Sequence, residues 1–229
     1  MSPQPPVQIR VRLIASGLAA LALVGCGSSS SPRSPSTNSA TTAIQTTSPP
    51  AASGTTPGPE GIPLETGRDL ASPWTTLLGT PVDGIKCAPV EQLAYHIHAH
   101  LQVYVNGESK VLPGGIGILG PIEYKTGFGP FFLASHCYYW LHTHASAGVI
   151  HIESPTVRVY TLGDFFAEWN QPLSAHQVAG AKGDITAFLN GQAWTKSPRD
   201  IPLLPHAVIQ LDVGTPVPFS SMSWSGTKL

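Results

Sequence analysis

Between Tyr95 and Val105 the chain alternates almost without a fault. Tyr95, Ile97, Ala99, Leu101, Val103 and Val105 fall on one side, and His96, His98, His100, Gln102 and Tyr104 on the other. Successive side chains of an extended strand point to opposite faces, so the stretch predicts a half-buried strand with an apolar face and an imidazole face. Asn106-Gly107 follows, two residue types that tolerate positive φ, and predicts a tight hairpin turn. Leu112–Ile118 holds too much glycine for a regular element and reads as a packed loop. Phe131–Ala134 and Cys137–His144 form the next apolar block. In the second, Cys137, Tyr139 and Leu141 alternate with Tyr138, Trp140, His142 and His144. After a turn at Gly148, Val149, His151 and Glu153 share one face of a further strand. A hairpin closing through Ala145–Gly148 would bring His151 near His142 and His144, with Glu153 one pleat further along.

The remainder reads as scaffold. Val157–Tyr160 predicts a short strand. Thr161-Leu162-Gly163-Asp164 fits a capping box, and Phe165, Phe166 and Trp169 follow at helical spacing, which predicts a helix over about Leu162–Asn170 that ends before Pro172. Asp184–Leu189 and Ala207–Val213 predict strands, with a second turn at Asn190-Gly191. The fold class is therefore α+β, mostly β, with antiparallel or mixed strands and one short helix. The order of elements over 149–213 resembles the β-grasp (ubiquitin-like) arrangement, and Phe188-Leu189-Asn190-Gly191 resembles the third-strand ending of its small sulfur-carrier members. The final Gly226-Thr227-Lys228-Leu229 lacks a diglycine, so carrier chemistry is not implied.

The first sixty residues follow another pattern. Arg10 and Arg12 precede an apolar run, Leu13–Val24, that is too short for a lasting bilayer span and reads as an export signal. It ends in Leu23-Val24-Gly25-Cys26, which resembles the lipobox of bacterial lipoproteins. The resemblance implies a signal peptide over residues 1–25, cleavage before Cys26 and a diacylglyceryl group on its thiol. The bilayer would then be a partner, and the protein would be anchored on the extracytoplasmic face of the cell membrane. Residues 26–60 are Ser, Thr, Pro and Ala with few large apolar side chains, which predicts a disordered tether. The folded part is expected over 61–229, with a sub-division near residue 155.

Composition narrows the chemistry. Charged residues make up only 11% of the chain while Gly and Pro number 23 each, which favours a turn-rich β protein over a helical bundle. A net charge of −1 without a basic cluster offers nucleic acid no electrostatic footing. With Cys26 committed to lipid, Cys87 and Cys137 are left. In an exported, oxidising setting they pair most simply as a disulfide, closing a loop of about 50 residues and contributing roughly 3–5 kcal/mol in the chain-entropy model. The alternative makes Cys137 a ligand beside His136 and His142.

Seven of the nine histidines lie in Tyr95–Glu153. Neutral imidazole is the commonest protein ligand for transition metals, and alternate residues on a strand stand close enough for their rings to converge on one ion. The candidate ligands are His96, His98, His100, His142, His144 and His151, with Glu153 as a carboxylate ligand or an acceptor for an imidazole N–H. Only Met1 and Met222 are present, far in sequence from the cluster, so the donors suit Zn(II) or Cu(II) rather than Cu(I).

Tyr139-Trp140-Leu141-His142-Thr143-His144, then Gly148-Val149-Ile150-His151-Ile152-Glu153 and Thr161-Leu162-Gly163-Asp164-Phe165-Phe166, resemble the shared run of a group of exported bacterial and archaeal proteins that brings no activity with it. In that group an Asp follows the second histidine, where this chain has Ala145. Three functions compete at this point. One is a lipid-anchored protein binding a transition metal, and another is a metal-dependent enzyme with an open coordination position. The third is an envelope lipoprotein that binds a partner and uses its histidines only for packing or pH sensing. The absence of a carboxylate at 145 and the missing cupin-type Glu after His142/His144 weigh against the enzyme.

Overall fold

The computed structural model describes residues 53–74 and 76–229. The export signal, Cys26 and the tether through Ala52 lie outside the described residues. The elements used below are β1 (Ser53–Pro57), β2 (Pro63–Glu65), β3 (Tyr95–Val105), β4 (Glu108–Val111), β5 (Ile118–Thr126), β6 (Gly129–Tyr139), β7 (Leu141–His142), β8 (Val149–Ser154), α1 (Leu162–Glu168), β9 (Ile185–Leu189), β10 (Gln192–Trp194) and β11 (Ala207–Val213). This is an α+β fold dominated by strands, as the alternation predicted.

An eight-stranded mixed sheet carries the molecule, with β10, β9, β11, β3, β8 and β7 in that spatial order. The remaining strands of the sheet are β4, which pairs with the far half of β3, and the short Arg68–Asp69 segment beside β4. β3 pairs antiparallel with β8 and parallel with β11, so its backbone is bonded on both sides. One sheet thus draws strands from both sides of residue 155, and the described part forms one compact unit. β8 and β11, the first and last strands of the β-grasp-like reading, do not pair with each other because β3 lies between them.

The odd-numbered residues of β3 join the core with Ile150 and Ile152 of β8 and Ile209 and Leu211 of β11. Phe165, Phe166 and Trp169, in and just after α1, are fully buried in the same cluster. Aromatic side chains at this depth each remove about 150–250 Å² from water, which makes α1 the main cover of that face. The predicted capping box is present: Asp164 N donates to Thr161 Oγ1 at 3.2 Å, and Thr161 N donates to Asp164 Oδ2 at 2.8 Å. The helix stops at Glu168 rather than Asn170, since Asn170 takes the left-handed conformation (φ 58°) that ends helices.

Three expectations need correction, and one strand was not foreseen. Ser53–Pro57 is a strand paired with β2, and Glu60 is buried, so residues 53–60 are not part of a disordered tether. Residues 118–126, where the sequence predicts no element beyond the loop ending at Ile118, form a long strand hairpinned to β6; a register shift between Leu119 and Pro121 accommodates Gly120 and Pro121. Cys137–His144 is not one strand. It breaks at Trp140, and β6 and β7 belong to different sheets. Val157–Tyr160 contributes only the short Tyr160–Thr161 pairing with Pro202–Leu203. Both predicted turns hold, with positive φ at Asn106 and Gly107 and at Asn190 and Gly191. Cys87 and Cys137 form the expected disulfide, with Cα atoms 5.4 Å apart, which removes Cys137 as a ligand. Among the described residues no helix is long and apolar enough to cross a membrane.

Candidate metal centre

Strand register builds the site. His98 on β3 stands opposite His151 on β8, which stands opposite His142 on β7, so three imidazoles form a row across three strands. One pleat along, His96 stands opposite Glu153. Cross-strand partners share a face, and this face is the one turned away from the core. His144, just past β7, is held by β6: its Nδ1–H donates to Phe132 O at 2.6 Å, Phe132 N donates to His144 O, and the Phe131 ring stacks on the imidazole.

Two imidazoles have their tautomers set by backbone. Nδ1–H of His142 donates to Tyr139 O at 2.9 Å, and Nδ1–H of His144 to Phe132 O. Each Nε2 therefore presents a lone pair, and the two nitrogens face each other 3.1 Å apart. Opposed lone pairs at that distance favour a cation between them. Burial first, then the neighbouring imidazoles, hold the His142 ring well below the usual histidine range and His144 down at about 3, so a proton is a poor candidate for that cation. On the β3 side, His96 Nε2 and His98 Nε2 are 3.0 Å apart, and burial followed by the field of His151 and His96 lowers His98 to about 3.

His151 behaves differently. Burial pulls its basicity down, but hydrogen bonds and charge from Glu153 and Glu60 outweigh that and raise it to about 9. Nε2 meets Glu60 Oε1 at 2.6 Å and Nδ1 meets Glu153 Oε1 at 3.3 Å, so without metal the ring is an imidazolium between two carboxylates. Glu153 also reaches outward on both sides: Oε1 lies 3.1 Å from His96 Nε2 and Oε2 lies 3.8 Å from His142 Nε2. Oε2 of Glu153 and Oε2 of Glu60 are buried with no hydrogen-bond partner among the described residues.

These separations fit a metal. A tetrahedral ion with ligands at roughly 2.0–2.1 Å keeps the ligand atoms about 3.3–3.4 Å apart. Ligand atoms of His142, His144, His151 and Glu153 all lie within 4.8 Å of one another, and so do those of His96, His98 and His151. The chain thus contains buried His/Glu groups that can hold a metal ion.

Five of the six predicted histidines are gathered in these sets. His100 is not. It stands one row further along β3, opposite Val149 of β8 and Val208 of β11, and burial holds it at about 4 against the pull of a backbone hydrogen bond to Ala147. Beside it is Glu65, pushed up by burial to about 8 although it accepts a 2.6 Å hydrogen bond from Leu112 N. A Cβ on Gly148, whose φ is +72°, would meet His100 Nε2 at 2.6 Å and Glu65 Oε1 at 2.9 Å, so the hairpin between β7 and β8 needs glycine there. His136 is exposed on β6, outside both sets, and His176 pairs with Asp184 at the surface. His206, assigned no role from the sequence, stacks on Trp224 at one mouth of the site.

Two carboxylates escaped the sequence reading. Glu60 sat in a stretch whose composition read as tether. Glu91 lies 3.4 Å from His144 Nε2 and has no patterned neighbours to draw notice. Together with Glu153 they supply the acid groups that Ala145 lacks, so the argument against a nearby carboxylate base fails. A cleft of about 350 Å³, walled by Glu91, Phe131, Leu133 and Lys228, leads to His96, His98, His144 and His151.

No protein-family model, curated protein or solved structure matches the chain.

Proposed function

We propose that this chain is a lipid-anchored, extracytoplasmic protein that binds a transition metal, Zn(II) or Cu(II), through the β3–β8–β7 imidazole face. The observation that carries the reading is the opposed pair of His142 Nε2 and His144 Nε2, each aimed by a backbone carbonyl at its other nitrogen. Hydrogen bonding of the non-ligating nitrogen is how proteins orient metal-binding imidazoles. The remaining donors are imidazole and carboxylate, and the only described cysteines are tied in a disulfide, which suits borderline ions over soft ones. Metal binding would replace the His151 proton with a larger positive charge between Glu153 and Glu60.

Elemental analysis and competitive zinc titration of the full chain test this directly. At least one ion per chain is expected in the wild type, with uptake reduced in His142→Ala with His144→Ala; a wild-type protein that takes up none removes the reading. The anchor rests on the Leu23–Cys26 motif alone. Cys26→Ser should move the protein out of the membrane fraction, and a variant that stays there removes the anchor but not the site.

The cleft supports a second reading, a metal-dependent enzyme. It opens the site to small molecules, and Glu91 sits within proton-transfer reach of a ligand sphere at His144. Cobalt substitution separates the two. An exchangeable water in the cobalt spectrum favours the enzyme, and a closed coordination sphere favours binding alone.

A further inference from the structure

Resting on the metal-binding reading, we infer that the pocket holds two ions, bridged by the carboxylate of Glu153. The imidazoles divide into two pairs on opposite sides of that carboxylate. His96 and His98 come from β3, with Nε2 atoms 3.0 Å apart; His142 and His144 come from β7 and its following loop, with Nε2 atoms 3.1 Å apart. The pairs fall in separate convergent sets that share His151. Each pair has the spacing of two ligands on one ion, and a single ion at roughly 2.0–2.1 Å from each ligand cannot serve atoms spread over both.

Glu153 supplies the bridge. Oε1 lies 3.1 Å from Nε2 of His96 in the first pair, and Oε2 lies 3.8 Å from Nε2 of His142 in the second. A carboxylate with one oxygen on each of two ions sets them about 3.5–4 Å apart, the spacing of two-metal sites. The side chain is only 3% exposed, and its Oε2 lacks a hydrogen-bond partner among the described residues, as does Oε2 of the equally buried Glu60. Two divalent cations would find three carboxylates, Glu153, Glu60 and Glu91, facing the site. The centre is asymmetric: the His142 side chain has no exposure, whereas His96 is 38% exposed and faces both mouths of the cleft. The ion on His96 and His98 is the one positioned to meet solvent or a small molecule.

The test uses the full chain, extracted in detergent, stripped with a chelator and titrated with Co(II). Native mass spectrometry counts the ions, and electron paramagnetic resonance reads their coupling. Two ions per chain with coupled spins are expected, with one retained in His96→Ala/His98→Ala and one in His142→Ala/His144→Ala. One ion per wild-type chain, or two without coupling, overturns the bridged pair while the metal-binding reading survives. No ion overturns both. The wild-type count and coupling need no variant, so a variant that fails to fold leaves the decision intact.

Discussion

His98 and His100 stand two residues apart on the same face of one strand, and they have opposite fates. His98 has His151 as its cross-strand neighbour and backs onto the end of β11, where His206 N donates to its carbonyl. His100 is flanked by Val149 and Val208 and shares its chamber with the protonated Glu65. Both rings are buried and held neutral by burial. The difference is what surrounds each ring: other imidazoles and carboxylates in one row, apolar side chains, backbone and the single Glu65 carboxyl in the next. A histidine becomes a candidate ligand through its neighbours, and these belong to other strands.

The sharpest way to break this contrast is by ligand removal. His142→Ala with His144→Ala should weaken binding of the ion held by those two imidazoles by more than about 100-fold, beyond the 10–100-fold that supporting groups alone carry, while His100→Ala leaves it unchanged. Competitive titration checks both. If His100→Ala weakens binding as much as His98→Ala does, the two rows are one site.

Next in size is the disulfide. Cys87→Ser with Cys137→Ser should cost roughly 3–5 kcal/mol, read as a lower midpoint in denaturant. Because β6 holds His144 through Phe132, metal affinity should fall too, though less than on loss of the ligands themselves.

Proton linkage separates the rows again. Metal at the first row must displace the His151 proton, so affinity should rise about tenfold per pH unit up to the region of pH 9 and level off above it. A titration series from pH 6 to 9 reads the slope. Removing His100 should leave that slope unchanged.

A last effect, away from the metal, belongs to Glu65. Folded, it keeps its proton to about pH 8; unfolded, it releases it near the ordinary value of 4.5. The folded state therefore binds the extra proton between those values, and this group's contribution to stability falls as pH rises through that window. Glu65→Gln should flatten that decline, read from denaturant midpoints compared between pH 5 and pH 8. The depressed histidines act in the opposite sense. His98, His144 and His100 bind fewer protons folded than unfolded between about 3 and 6.5, so stability is lost as pH falls below 6.5.

Much of this was legible before any coordinates. Tyr95–Val105 and Ala207–Val213 match their predicted bounds because strict alternation in one and a short run of branched residues between turn signals in the other leave few competing periods. The His151–His142 meeting was legible too, since a four-residue turn ending in Gly148 allows few registers. The β5–β6 hairpin was not. Gly120 and Pro121 weaken a strand locally, and only pairing along the whole of β6 overrides them.

What the sequence determined alone is local. Alternation put histidines on one face of β3 and β8, the capping box started α1, and Cys87 and Cys137 made a pair. The tertiary structure decided which of those histidines meet and which acids join them. Glu60 reaches His151 across 91 positions and β6 sets the His144 tautomer, contacts with no periodic trace in the chain. Side-chain periodicity records a residue's face on its own element. A metal centre depends on distances between elements, and those are set when the sheet closes on its core.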